Sequence, residues 1–431
     1  MHSFHYRNGR LSCEAADLAQ IADRFGTPLY VYSTATILDH YRRLDEALAE
    51  VDHLICYAVK ANSNGAILRL LAEAGAGFDI VSGGELFRVL KAGGAAARCT
   101  FAGVGKTAEE IAFALEAGVS SFNIESEAEL ENVNRIAAAK GLRAPIALRV
   151  NPDVAADTHA YISTGTSANK FGIALDRVRA VYERAAQMEA VRIRGVQMHI
   201  GSQINETQPF VEAIEKLTPL VLELRQRHGI EFFSIGGGIG IVYESSLASG
   251  GGGWWSKTKA RPQLTIQDYV SATLPLLRRL DLKIVLEPGR ILVGNAGVLL
   301  TRVLYRKEAA GKKFVILDAG LNDLIRPALY QSYHEIVPVL SPPNDKRETV
   351  DVVGPVCESG DFFALERELP ELQAGDLVAL MSAGAYGFAM ASNYNSRPLP
   401  AEVLVRADRA ALIRARQSND DLIRGECAAE I

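Results

Sequence analysis

No run of about 18 apolar residues occurs in the 431-residue chain, so no segment is expected to cross a bilayer as a helix. Basic residues are not in excess. The 46 Lys and Arg stand against 51 Asp and Glu, and a formal net charge of −5 offers no footprint for nucleic acid or an anionic membrane surface. Cysteine is scarce and odd in number: five residues, Cys13, Cys56, Cys99, Cys357 and Cys427, lie scattered with no CxxC pair. That argues against a disulfide framework and for a reducing cytoplasm. With no HExxH helix either, no protein-bound metal is expected. Met1–Arg10 is polar and lacks the apolar centre of a secretion signal, so none is expected. What remains, 48% hydrophobic and 23% charged residues, is the composition of an ordinary globular protein.

The length implies more than one domain, and a barrel of about 250 residues with a second domain is a sensible division. Short apolar runs recur at Leu54–Val59, Phe78–Val81, Thr100–Ala102, Ser121–Ile124, Ile146–Val150, Gly195–His199, Phe232–Ile235 and Lys283–Leu286. Between them, segments such as Ala66–Ala74, Glu85–Ala92, Ala108–Ala117, Glu127–Ala139 and Pro209–Arg227 carry apolar residues at spacings of three and four. Eight strands alternating with helices predict a closed parallel (β/α)8 barrel of the TIM type, placed at 35–294.

After Gly289 the pattern changes. Val298–Tyr305, Phe314–Asp318, Thr349–Val353, Asp376–Met381 and Ala401–Val405 read as strands without long helices between them. They predict a second, mostly β domain at 295–431, joined by residues 1–34, since Leu29–Tyr32 could supply its first strand. The Gly- and Ser-rich stretch Ser245–Gln263 holds both tryptophans, Trp254 and Trp255, and Lys257. It reads either as a mobile loop that closes over a site or as a surface insertion whose aromatics pack locally.

In a barrel, functional groups sit just past the C-terminal ends of the strands. Four such positions hold chemistry. The first predicted strand ends in Tyr57-Ala58-Val59-Lys60-Ala61-Asn62; a lysine desolvated there can form a Schiff base, though it could equally be a lysine capping the barrel mouth. The sixth ends in His199-Ile200-Gly201-Ser202: His199 could be a core histidine or lie flat on a cofactor ring, and Ser202 could donate to a phosphate. The seventh ends in Gly236-Gly237-Gly238, where backbone N–H groups can approach a phosphate, or a tight turn is simply made. The eighth ends in Glu287-Pro288-Gly289-Arg290, whose carboxylate could face a pyridine nitrogen or pair with Arg290. Each motif is weak alone; four on one barrel face are informative.

Together, Tyr57–Asn62, Phe78–Glu85 (FDIVSGGE), His199–Gln203 (HIGSQ), Gly236–Gly238 and Glu287–Arg290 (EPGR) resemble the alanine-racemase-fold decarboxylases that depend on pyridoxal 5'-phosphate (PLP). Further motifs narrow the resemblance to the diaminopimelate-cleaving branch: Arg326–Tyr330 (RPALY), Gly354–Asp361 (GPVCESGD), Gly384–Gly387 (GAYG), Thr158–Gly165 (THAYISTG) and Lys170–Gly172 (KFG). The resemblance runs from Thr27 to Arg406, with the Ser245–Gln263 stretch departing from the usual shorter connection. It implies that Lys60 carries PLP, that His199 stacks on its ring, and that Glu287 meets the pyridine nitrogen. Ser202, Gly236, Gly237, Gly238 and the Glu287, Pro288, Gly289, Arg290 stretch surround phosphate and ring, and Tyr386 reaches phosphate and substrate. Arg290, Arg326 and Tyr330 would grip the substrate's distal carboxylate, Glu358 its distal ammonium, and Cys357 would return a proton; Cys357 read by itself is also a small buried hydrophobe. The implied reaction turns meso-2,6-diaminopimelate into L-lysine and CO2 in a homodimer that shares its sites. A related decarboxylase of ornithine, arginine or carboxynorspermidine, or a non-catalytic PLP-binding homologue, is the competing reading.

Overall fold

The computed structural model describes residues 2–154, 170–257, 264–342 and 346–427. The Thr158–Gly165 motif and the end of the Ser245–Gln263 stretch lie outside them. The chain divides into two compact units, Leu38–Ile241 with Ala260–Leu292, and Met1–Ile37 with Val242–Lys259 and Val293–Ile431.

The first unit is the expected barrel. Its strands are β1 (His53–Ala58), β2 (Gly77–Ile80), β3 (Cys99–Phe101), β4 (Ser121–Ile124), β5 (Ala144–Asn151), β6 (Val191–Gln197), β7 (Phe232–Ser234) and β8 (Lys283–Leu286). Each pairs in parallel with the next, and β8 returns to β1 to close the ring. The sequence signals were strong because these strands are buried on both faces and so read as unbroken apolar runs. Several of the helices between them start where a side chain can accept the orphan N–H groups of a first turn. Asn64 caps Gly65–Glu73, Ser82 caps Gly83–Lys91 and Ser126 caps Glu127–Ala139; Thr107 and Glu110 form a capping box on Ala108–Ala117.

The barrel interior is layered. Cys56, Ala147, Phe232 and Val285 form an apolar plug. Gly195 is required opposite it, because a Cβ there would lie 2.6 Å from the Phe232 ring. Two residues further along the same strands, on the same face, the lining turns polar: Arg149 follows Ala147, Ser234 follows Phe232 and Glu287 follows Val285. This switch from apolar to polar sets the depth at which chemistry can begin.

The second unit is β-rich. Its main sheet runs in the order Phe362–Pro370, Arg347–Val353, Lys312–Leu317, Gly297–Ala309, Leu29–Ser33, Ala401–Arg406 and Arg409–Arg414. Leu29–Ser33 takes the predicted place, antiparallel to Gly297–Ala309 and parallel to Ala401–Arg406. Leu29, Val31, Val298, Leu300, Val403 and Val405 are among the fully buried residues beneath it. Val242–Lys259, inside the range expected for the barrel, packs with this unit instead.

Candidate active site

Lys60 sits in a single 3-10 turn, Val59–Ala61, directly after β1. Its Nζ lies 2.7 Å from Oδ2 of Asp79, a residue of β2 that is almost fully buried while the lysine side chain is 41% exposed. The lysine is therefore held over the polar layer by a carboxylate below it. Oδ1 of Asp79 is buried with no hydrogen-bond partner among the described residues.

Glu287 follows β8 and is buried. Its Oε1 accepts from Asn123 Nδ2 at 3.2 Å and Ser234 Oγ at 2.8 Å, and its Oε2 from Gln197 Nε2 at 2.8 Å. Neutral donors hold it, rather than the ion pair with Arg290 that the sequence left open. Burial, reinforced by the negative field of Asp79, pushes its pKa up to about 7. Such a carboxyl binds its proton more tightly folded than unfolded, so the stability it contributes is present below its ordinary range and lost as pH rises towards 7. Cofactor-free protein is expected to lose up to about 3 kcal/mol from this group across that window. Glu287→Gln should flatten the corresponding part of the profile, read from denaturant midpoints at about pH 5 and about pH 8.

His199 is half-buried, and burial with the nearby cations Arg149 and Lys60 holds its pKa well below the usual histidine value. It is thus neutral, and its Nδ1 accepts the Gly237 N–H at 3.2 Å. The glycine triplet is packed backbone against backbone. A Cβ on Gly236 would meet the Met198 carbonyl oxygen at 2.4 Å, on Gly237 that of Glu287 at 2.2 Å, and on Gly238 that of Gly201 at 2.4 Å. Gly236 and Gly238 also have φ of +69° and +110°, open to glycine at little cost. The Gly236 N–H points to Ser234 Oγ at 3.4 Å and the Gly237 N–H to His199, so within the triplet only partly exposed Gly238 remains as a candidate phosphate donor. Arg290, buried, donates from Nη2 to Ser202 Oγ at 2.9 Å, which brings two more candidates for anion binding together. Pro288 and Gly289 are buried; Pro288 accepts the Ala58 N–H at 3.0 Å and so ties this turn to the end of β1.

The arrangement fits PLP on its own evidence. A buried carboxyl of raised proton affinity would be matched by a protonated ring nitrogen, a flat neutral imidazole by a ring face, and a cramped glycine turn beside Ser202 and Arg290 by a phosphate.

The remaining candidates belong to the β-rich unit. Cys357 and Glu358 are exposed on a turn; the Cys357 N–H donates to Asn395 Oδ1 at 2.9 Å. Buried Asp361 braces this turn, accepting from Val356 N at 2.7 Å and Leu321 N at 2.6 Å. Tyr386 is partly buried in left-handed backbone, φ +57°. Beside it Gly387 is obligatory, since a Cβ would lie 2.4 Å from the Ala383 carbonyl oxygen. Arg326 is buried on the short helix Arg326–Tyr330, its guanidinium carbon 5.8 Å from the Tyr330 ring centroid.

Several polar groups were missed by the sequence reading: Asp79, Asn123, Gln197 and Ser234 around the first cluster, and Arg149, paired with Glu125 at 3.0 Å and lying 4.7 Å from the Phe171 ring centroid. The signal was present, since each of the four polar residues interrupts an apolar strand run (FDI, FNI, VQM, FFS) on its inward face.

The Ser245–Gln263 stretch begins packed rather than open. Ser246 and Ser249 are buried; Ser246 Oγ lies 2.6 Å from Ser382 Oγ, and the Leu247 N–H donates to Glu335 Oε2 at 2.7 Å. Trp254 and Trp255 meet edge to face at 4.9 Å, and Trp255 Nε1 donates to the Ser249 carbonyl at 3.0 Å, so the tryptophans also pack locally.

A closed parallel barrel with a lysine, a neutral histidine, a glycine turn and a buried carboxylate at one end fits a phosphate-cofactor enzyme of the PLP class. Residues 34–294 match the family model for the pyridoxal-binding domain of pyridoxal-dependent decarboxylases. The chain is 50% identical over 427 residues to diaminopimelate decarboxylase of Pseudomonas aeruginosa, covering 99% of each protein, and 46% identical to that of Vibrio cholerae, covering 98% of each. Among solved structures, diaminopimelate decarboxylase from M. jannaschii in complex with L-lysine superposes with a TM-score of 0.90 at 37% identity, covering 99% of this chain and 98% of that one. The chain belongs to the diaminopimelate decarboxylase family, PLP-dependent carboxy-lyases.

Proposed function

We propose that this chain decarboxylates meso-2,6-diaminopimelate to L-lysine and CO2, the last step of lysine biosynthesis, in a reducing cytoplasm. The observation that carries this is half-identity over nearly the whole length to the P. aeruginosa enzyme of that name. Bound PLP supplies an electron sink for the pair of electrons left when the carboxylate departs.

The chain's own residues do the rest. Lys60 would hold the cofactor through its Nζ, which Asp79 orients. Glu287 would face the ring nitrogen and favour its protonated form, and the neutral His199 ring would cover one face. Gly238, Ser202 and Arg290 would hold the phosphate, with Tyr386 reaching it from the β-rich domain. Arg290, Arg326 and Tyr330 bind the distal carboxylate and Glu358 the distal ammonium. The carbon–carbon bond to the leaving carboxylate breaks, CO2 departs, and the Cys357 thiol gives its proton to the α-carbon. Reading both charges of a distal amino-acid head in this way discriminates strongly, because a substrate without that head leaves buried charges unpaired. The chain acts as a head-to-tail homodimer, in which the β-rich domain of one protomer completes the site on the barrel of the other.

A CO2-release assay on meso-diaminopimelate, L-lysine, L-ornithine and L-arginine tests this directly. Activity is expected on the first alone, and equal turnover of ornithine would overturn the assignment. Arg326→Ala should lower kcat/KM by the equivalent of roughly 2–5 kcal/mol, the cost of a charge left buried and unpaired.

A further inference from the structure

We infer that His334 and Tyr243 are positioning residues that fix the Arg326 guanidinium in the orientation that takes the distal carboxylate. The inference rests on the reading of Arg326 as that carboxylate's partner.

His334 is fully buried, and its Nδ1 lies 2.8 Å from the Met381 carbonyl oxygen. A carbonyl can only accept, so Nδ1 carries the hydrogen and Nε2 presents a lone pair. That lone pair faces Arg326, whose Nε donates to it at 3.3 Å, while Nη2 donates to Ser332 Oγ at 3.1 Å. Two bonds from different nitrogens fix the guanidinium plane against rotation. Its face is covered as well, with the Tyr243 ring centroid 5.2 Å from the guanidinium carbon. The Tyr243 ring in turn meets the His334 ring edge-on at 5.3 Å and 79°, so the three side chains support one another.

Tyr243 is held by its own backbone. The preceding carbonyl, of Val242, accepts from Asn295 Nδ2 at 2.8 Å and Ser382 Oγ at 3.1 Å. The segment that follows is tied to Glu335, the residue after His334, through the Leu247 N–H. Tyr243, two residues before the Ser245–Gln263 stretch, thus supplies one wall of a specificity subsite. An arginine whose plane is set before the substrate arrives loses less freedom on binding, which favours affinity for the distal head over the rate of the bond-breaking step.

The test uses the PLP-loaded enzyme and follows CO2 release from meso-diaminopimelate, with visible cofactor absorbance and thermal melting as checks on folding. His334→Ala should raise KM by roughly 10- to 100-fold, the range for a hydrogen bond to a charged group, with kcat within about twofold of the parent. His334→Gln, whose amide oxygen can accept from Arg326, should recover part of that loss. Tyr243→Leu should raise KM and Tyr243→Phe should restore most of it, since the ring and not the hydroxyl faces the guanidinium. In the Arg326→Ala background, His334→Ala should add little, because the group it positions has gone. If Arg326→Ala raises KM and both His334→Ala and Tyr243→Leu leave it unchanged, the positioning role is refuted and the carboxylate grip stands. If Arg326→Ala itself leaves KM unchanged, the grip is refuted and the positioning role with it. Should His334→Ala fail to fold, the Tyr243 pair decides: a rise in Tyr243→Leu that Tyr243→Phe reverses supports the inference, and no rise refutes it. A fall in kcat with unchanged KM in the folded variants would mark a merely structural role and also refute it.

Discussion

Lys60→Ala is expected to lose the visible absorbance of lysine-bound PLP and nearly all CO2 release. Two effects combine. The amine that takes the cofactor is gone, and so is the cation whose Nζ lies 2.7 Å from the buried Asp79 carboxylate. Asp79 and Glu287 already act on one another, Asp79 raising the proton affinity of Glu287. Removing Lys60, which opposes that rise, should drive Glu287 further towards its neutral form and weaken its hold on a protonated ring nitrogen. Borohydride reduction of the parent should therefore fix PLP to Lys60, and the variant should take none. A variant that still carries label on another lysine would show that the cofactor lysine has been misassigned. Asp79→Asn separates the two effects: labelling should survive, because the amine remains, while turnover falls, because nothing anionic orients it.

How much of this was legible in the sequence depended on the side of the backbone that carried the information. The barrel could be counted because its strands are apolar on both faces, and the strand Leu29–Ser33 was visible for the same reason, all five of its residues being buried. Phe362–Pro370 was missed because its second half, Leu365-Glu366-Arg367-Glu368, is largely exposed and charged at the sheet margin, where no apolar pattern is enforced. The four strand-end motifs could be read because each is contiguous in the sequence and follows a strand that is itself visible. The polar layer beneath them left only a faint trace, since Asp79, Asn123, Gln197 and Ser234 are single polar residues in apolar runs and their convergence exists only after the ring closes. His334 carries no local signal at all; its role depends on a contact with Arg326 eight residues earlier, made across a turn. The Gly- and Ser-rich composition of Ser245–Gln263 suggested mobility, but composition does not reveal tethering partners distant in sequence, and Ser382 and Glu335 are both more than eighty residues away.

Mixing two inactive variants is expected to restore activity. Lys60 lies in the barrel unit, and Cys357 and Glu358 lie in the β-rich unit. In the proposed head-to-tail dimer each site takes Lys60 from one protomer and Cys357 from its partner, so Lys60→Ala and Cys357→Ala should each be nearly inactive alone. When subunits exchange, a mixed dimer places both defects in one site and neither in the other, because closed twofold symmetry makes the two sites reciprocal. Random exchange makes about half the dimers mixed, each with one intact site of two, so activity should recover to about a quarter of the parent's. A mixture of Lys60→Ala with Asp79→Asn is the control. Both lesions lie in the same barrel, so in a mixed dimer they fall on different sites and no site is free of both; activity should stay at the level set by Asp79→Asn alone. Differently tagged chains establish that exchange has taken place. If tagged mixed dimers form and the first mixture stays inactive, Cys357 acts on the barrel of its own chain, and each protomer builds its site alone.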